Sequence, residues 1–177
     1  KFIAIEGMDG VGKEYTSKAI KILENNPKIS IVYCDAKKFG IENKIWKLPR
    51  YSLEEILSQN IIFVSALFRR SDFNLTNGYD SRLDILEDWD MWLSIIELGG
   101  DVYKIPEILF FYRVRKDSTM KSVTKNEKIN AYKIRLEKHA NLYAHYWEEN
   151  ESLISRLPKI KKLFLYKLFL FIKNKIK

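Results

Sequence analysis

The sequence predicts an α/β fold with a largely parallel sheet flanked by helices. Two observations carry this. Short apolar, β-branched runs alternate along the chain with segments whose apolar residues recur at helical spacing. Clusters of Gly, Asn and Pro separate the two kinds of segment, as strand–helix connections require. The 177 residues are 46% apolar and 14% aromatic, enough for one domain with a core and too apolar for a disordered chain.

Each element follows from its residues. "FIAI" (2–5) is an apolar run before glycines and reads as a buried strand. From Glu14 to Asn25, Tyr15, Ala19, Ile20, Ile22 and Leu23 recur at helical spacing until Asn25-Asn26-Pro27 stops the helix. "ISIVYCD" (29–35) is a β-branched strand ending on Asp35, and 36–52 is polar and irregular. "SLEEILSQN" (52–60) opens with the capping pair Ser52 and Glu55 and predicts a short helix. "IIFVSALFRR" (61–70) predicts a strand, followed by a turn at Asn77-Gly78. "LEDWDMWLSIIELGG" (86–100) begins with acids, aligns Trp89, Trp92, Leu93 and Ile96, and closes on Gly99-Gly100, so it predicts a helix. "DVYKIPEILFFYRVR" (101–115) predicts two short strands around Pro106. Residues 124–150 read as one charged amphipathic helix, and 159–177 as a last helix after Pro158. The expected division is a domain over 1–123 and a helical extension over 124–177.

The formal charge of +8 is unevenly placed, with much of the excess in "PKIKKLFLYKLFLFIKNKIK" at the C-terminus. A basic, apolar tail argues against nucleic acid and for an anionic membrane surface or a partner. Its core "LFLYKLFLFI" is too short and too interrupted to span a bilayer, so 159–177 either lies in an interface or packs as a terminal helix. Cys34, the single cysteine, excludes an internal disulfide and a cysteine-based zinc site. The chain opens on Lys1 with a strand already under way and no signal-peptide pattern, as expected of a piece cut from a longer protein. A cytoplasmic location, peripheral at the inner face of the membrane, is the matching expectation.

"GMDGVGK" (7–13) satisfies G-x-x-x-x-G-K between a strand and a helix. Gly7, Gly10 and Gly12 would let backbone N–H groups face a phosphate, and Lys13 would neutralise its charge. "FIAIEGMDGVGK" resembles the opening of thymidylate kinases, which implies a P-loop nucleotide kinase. Glu14 stands where that family has the hydroxyl that binds Mg²⁺, and no Arg-rich lid follows. Asp35 could imitate the acid that such kinases carry at a strand end.

From Glu14 onward the chain resembles a different family, the family 2 glycosyltransferases. The likeness runs through "EYTSKAIKILENNPKISIVYCDAKKFG", "IIFVSALFRRSDFNLTNGYD" and "LEDWDMWLSIIELGGDVYKIPEILFFYRVRKDS", about residues 14–120. It implies the C-terminal portion of a GT-A domain: a partial Rossmann-type sheet flanked by helices, with a helical C-terminal extension. It also implies transfer of a sugar from a nucleotide-diphosphate sugar to a glycan or lipid-linked acceptor, as in cell-envelope polysaccharide synthesis. The family's acidic motif for Mn²⁺ or Mg²⁺ falls on "EGMD", with Glu6 and Asp9 as acids and Met8 in a ligand place, where a thioether suits a hard cation poorly. In "EDWD", Asp88 takes the place of the general base, beside Glu87. In "YRVRKDS", Arg113 and Arg115 fall near the diphosphate, with Arg115 where the family often has histidine. Arg69, Arg70, "NGYD" (77–80) with its Asp80, and Trp89 fall on the acceptor side. The resemblance starts midway through the family's domain, so weak or no transfer by this chain alone is expected.

Each of these residues also has a plain structural reading. Glu87, Asp88 and Asp90 are acids in a first helical turn, where they favour the helix dipole. The four arginines suit surface turns and strand ends, while Trp89 and Trp92 suit a core. His139 and His145 read as surface or packing residues on the long helix, and Cys34 needs only packing.

Overall fold

The computed structural model describes residues 2–4, 12–115 and 123–149. The chain forms two compact units, Lys1–Thr124 and Lys125–Lys177. The first contains β1 (Phe2–Ala4), α1 (Lys13–Asn25), β2 (Ile29–Gly40), β3 (Lys44–Trp46), α2 (Leu53–Ser58), β4 (Leu67–Arg69), α3 (Arg70–Leu75), α4 (Glu87–Ile96) and β5 (Asp101–Val114). The described part of the second contains α5 (Lys125–Lys138) and α6 (Ala140–Glu149). The protein is therefore α/β, with one open sheet flanked by helices.

The sheet is mixed where the sequence predicted a largely parallel one. β4 runs antiparallel to both β1 and β2, so β1 and β2 share a direction with β4 between them. β2 and β5 pair in parallel along their length. Ile31 and Val32 pair with β4 on one edge and β5 on the other, whereas Ala36–Lys38 pair with β3 and β5. β3 therefore shares an edge of β2 with β4. Only three residues separate β2 from β3, a link that permits only an antiparallel pair.

Both faces of β2 are covered, which explains its nearly unbroken apolar run. Val32, Cys34 and Ala36 meet Tyr15, Ala19 and Leu23 of α1, spaced four apart on one helical stripe. The Tyr15 hydroxyl donates to the Val32 carbonyl at 2.7 Å and accepts from the Leu67 N–H at 3.1 Å, joining β2 to β4 from beneath the helix. Burial pushes that phenol well above its ordinary range. On the opposite face Phe68 meets Trp92 of α4 edge-on at 5.4 Å.

Several boundaries differ from the sequence reading, each for a visible reason. β2 continues to Gly40 through Lys37 and Lys38, polar residues that pairing with β5 keeps extended. Gly40 sits at φ +98°, and a Cβ there would meet the Val114 carbonyl oxygen at 2.6 Å. β5 is one strand: the register steps from Cys34↔Ile105 to Asp35↔Ile108, so a bulge absorbs Pro106 and Glu107. The strand predicted over 61–70 shrinks to Leu67–Arg69 and is followed at once by α3, an unpredicted helix. The helix predicted over 124–150 is two, interrupted at His139, which is fully buried. Among the described residues no helix is long and apolar enough to cross a membrane. The tail over 159–177 lies outside the described residues.

Candidate functional site

The acids at the head of α4 form the candidate site. α4 leads through Gly99-Gly100 into the start of β5. The residue before the helix, Leu86, has φ 63° and ψ 16°, a left-handed conformation that costs a branched side chain energy. That kink sets the direction in which Glu87 and Asp88 leave the backbone.

Asp88 is half-buried, and each carboxylate oxygen accepts a hydrogen bond. Oδ1 accepts the Trp89 N–H at 2.8 Å, and Oδ2 accepts the Asn60 side-chain amide at 3.1 Å. These bonds and the helix N-terminus favour the anion. Burial outweighs them, and the neighbouring Glu87 charge adds to it, so the carboxyl is pushed up to about 6. Tyr79 lies near enough to feel both acids: burial first, then the charges of Asp88 and Glu87, push its phenol up to about 12. The site thus holds a carboxylate that exchanges its proton near neutral pH beside a phenol that keeps its own.

Two indoles fix this arrangement. The Trp89 Nε1–H donates to the Ile56 carbonyl at 2.7 Å and the Trp92 Nε1–H to the Ile62 carbonyl at 3.1 Å. One bond takes up a carbonyl within α2 and the other a carbonyl of the buried, irregular stretch after it. Trp89 is 2% exposed and belongs to the core, so it is closed to the acceptor contact the sequence suggested.

The other sequence-derived residues fall in separate places. Arg69 bridges β4 to the end of α1, donating to the carbonyls of Leu23, Ile29 and Asn26. Its guanidinium caps a helix C-terminus. Arg70 opens α3 on the exposed surface. Asp80 chelates Arg82, with Nε at 2.9 Å and Nη2 at 2.6 Å, and also accepts the Arg82 N–H, so it builds the turn before α4. Arg113 lies over the Phe39 ring at 5.8 Å, and Arg115 follows the end of β5 on the surface. Asp35 lies in mid-strand: Lys104 Nζ stands 2.7 Å from its Oδ1, and the Leu48 N–H donates to the same oxygen. Nothing there imitates a metal-binding acid.

Gly12 precedes α1, Lys13 is its first residue, and Glu14 is paired with Lys18 at 2.8 Å. Glu6, Gly7, Met8, Asp9 and Gly10 lie outside the described residues. Among the described residues no cluster of three His, Cys, Asp or Glu side chains is placed to hold a metal ion. The donor set "EGMD" offers two carboxylates and a thioether, which falls short of the all-oxygen shell that Mn²⁺ or Mg²⁺ prefers. His145 pairs with Glu149 at 3.2 Å on α6.

The residues that sequence reasoning missed are Asn60 and Leu86. Asn60 is a polar loop residue 28 positions from its partner, and only the folded contact reveals it. No protein-family model matches the chain, and no curated protein matches it.

Proposed function

We propose that this chain is the C-terminal portion of a GT-A, family 2 glycosyltransferase that moves a sugar from a nucleotide-diphosphate sugar to an acceptor hydroxyl, with Asp88 as general base. The observation that carries this reading is the Asp88 carboxylate, held at the head of α4 with its pKa pushed up to about 6. A base with that pKa is unprotonated at neutral pH and still takes a proton readily. The acceptor O–H proton passes to Asp88 as its oxygen bonds to the anomeric carbon. The bond from that carbon to the diphosphate breaks, its electron pair leaves with the nucleotide, and the anomeric centre inverts. No step is routed through a cation, because "EGMD" does not supply the full ligand set. Arg113 and Arg115, at the end of β5, are the candidates for diphosphate contact. Arg70 and Tyr79 are the candidates on the acceptor side. The acceptor is a glycan or a lipid-linked molecule, reached from the inner membrane surface with help from the basic tail.

Calorimetric titration with UDP- and GDP-sugars in the presence of Mn²⁺, set beside ATP, tests the reading. Heat from a nucleotide sugar supports it, and Asp88→Ala is expected to lower transfer by about 10²–10⁴-fold, the usual worth of a general base. The order β1, glycine-rich loop, α1 favours a second reading, a P-loop nucleotide kinase using Gly7, Gly10, Gly12 and Lys13. Binding of ATP alone, abolished by Lys13→Ala and indifferent to Asp88→Ala, would establish that rival instead.

A further inference from the structure

The chain from within α2 to Ile62 meets α4 at three points in a fixed order. Ile56 accepts from Trp89, Asn60 donates to Asp88, and Ile62 accepts from Trp92. The two indole bonds bracket Asn60 on its own strand of chain, and they arise from residues one and four positions past Asp88. Both partners of the Asn60–Asp88 bond are therefore referenced to one rigid framework. Asn60 also has its amide orientation fixed, since its Oδ1 accepts the Ile62 N–H at 3.3 Å and its NH₂ is left to face Asp88. Asn60 is itself exposed. Water could satisfy such an amide, so the contact is not something burial demands.

We infer that Asn60 is a positioning residue for Asp88: locked by the Ile62 backbone and the two tryptophan clamps, its amide holds Oδ2 so that the carboxylate keeps one orientation toward the incoming hydroxyl. The inference rests on the reading of Asp88 as the base, and it adds a residue that acts through Asp88. Glu87 from α4 and Tyr79 from the preceding loop also face the carboxylate. Burial disfavours its ionisation most, and the Glu87 charge adds to that. Asn60 opposes them by donating to the charged form.

The test is a pH titration of the Asp88 carboxyl in the full chain, followed by ¹³C NMR with labelled aspartate, for the wild type, Asn60→Ala and Asn60→Asp. The wild-type group is expected to titrate near 6. Asn60→Ala should raise the midpoint by about one pH unit, the scale of one partly screened charge-assisted hydrogen bond. Asn60→Asp should raise it further by placing a second carboxylate opposite. Tryptophan fluorescence checks that the clamps stay closed in both variants. An unchanged midpoint in Asn60→Ala overturns the inference, whatever transfer activity is found. The titration needs no substrate, so its outcome is separate from that of the function. If the midpoint shifts while no nucleotide sugar binds, the positioning stands and the transferase reading falls. If sugar transfer occurs, its pH profile must move with the midpoint, and a profile that stays put in Asn60→Ala overturns the inference.

Discussion

Asp35 and Asp88 are both drawn away from water, and their surroundings could hardly differ more. Asp35 lies in the middle of β2, its side chain 10% exposed, with the ammonium of Lys104 at 2.7 Å and the Leu48 N–H on the same oxygen. Lys104 also donates to the Leu48 carbonyl, so the pair holds Leu48 of the β3–α2 connection by both its N–H and its C=O. Asp88 receives only neutral donors, Asn60 and the Trp89 N–H, and its nearest charged neighbour is another acid. A buried carboxylate matched by a cation is committed to structure. One surrounded by dipoles keeps its proton exchange available for chemistry.

The largest expected effect breaks the matched side. Asp35→Ala leaves Lys104 buried without its counter-charge and should cost about 3–5 kcal/mol in denaturant unfolding. The double variant Asp35→Asn with Lys104→Met should recover much of that loss. A cost under about 1 kcal/mol for Asp35→Ala would mean the pair is too hydrated to be structural.

Next comes Trp92→Phe, which keeps the ring against Phe68 but strands the Ile62 carbonyl. A loss of about 1–3 kcal/mol is expected, with Asp88 titrating over a broader range as its framework loosens. Urea unfolding and the carboxyl titration read the two effects separately.

Asp88→Asn should act with the opposite sign. The folded-state pKa of Asp88 is raised to about 6 from 3.8, so the folded protein binds the proton more tightly than the unfolded chain. The group's contribution is then favourable at low pH, fades as pH rises through about 4 to 6, and is a full penalty above that. Allowing for partial solvent screening, Asp88→Asn should be more stable than wild type by about 1–2 kcal/mol at pH 7 and no different near pH 4. Thermal unfolding at the two pH values checks the sign. Ser52→Ala lies in neither site and sets a baseline: loss of the bond from the Glu55 N–H to the Ser52 hydroxyl should cost about 1 kcal/mol at any pH.

Much of this was legible in the sequence because it is local. The stripe Tyr15–Ala19–Leu23, the Ser52 cap and the glycines after Ile96 each announce a helix or its end within a few residues. Asp88 was legible too, as an acid in a helix's first turn. The extension of β2 was hidden because Lys37 and Lys38 look polar, and only the β5 partner makes them extended. The mixed sheet was hidden because strand direction depends on which segments pair, and a short apolar run does not encode that. The roles of Arg69, Trp89 and Asn60 are tertiary. Arg69 and Trp89 looked available for an acceptor until their hydrogen bonds to distant backbone carbonyls placed them in the framework. Asn60 carried no signal at all.

The bulge at Pro106 and Glu107 has a consequence for how the protein behaves in a crowd. Among the described residues β5 pairs only with β2, so its outer side presents the backbone of a 14-residue strand. An uninterrupted edge of that length is a template for strand addition and fibril growth. The bulge puts the edge out of register midway, and proline withholds a donor there. Glu107, paired with Lys18 of α1, places charge at the same spot. Straightening β5 by replacing Pro106 would thus trade a harmless irregularity for a sticky seam.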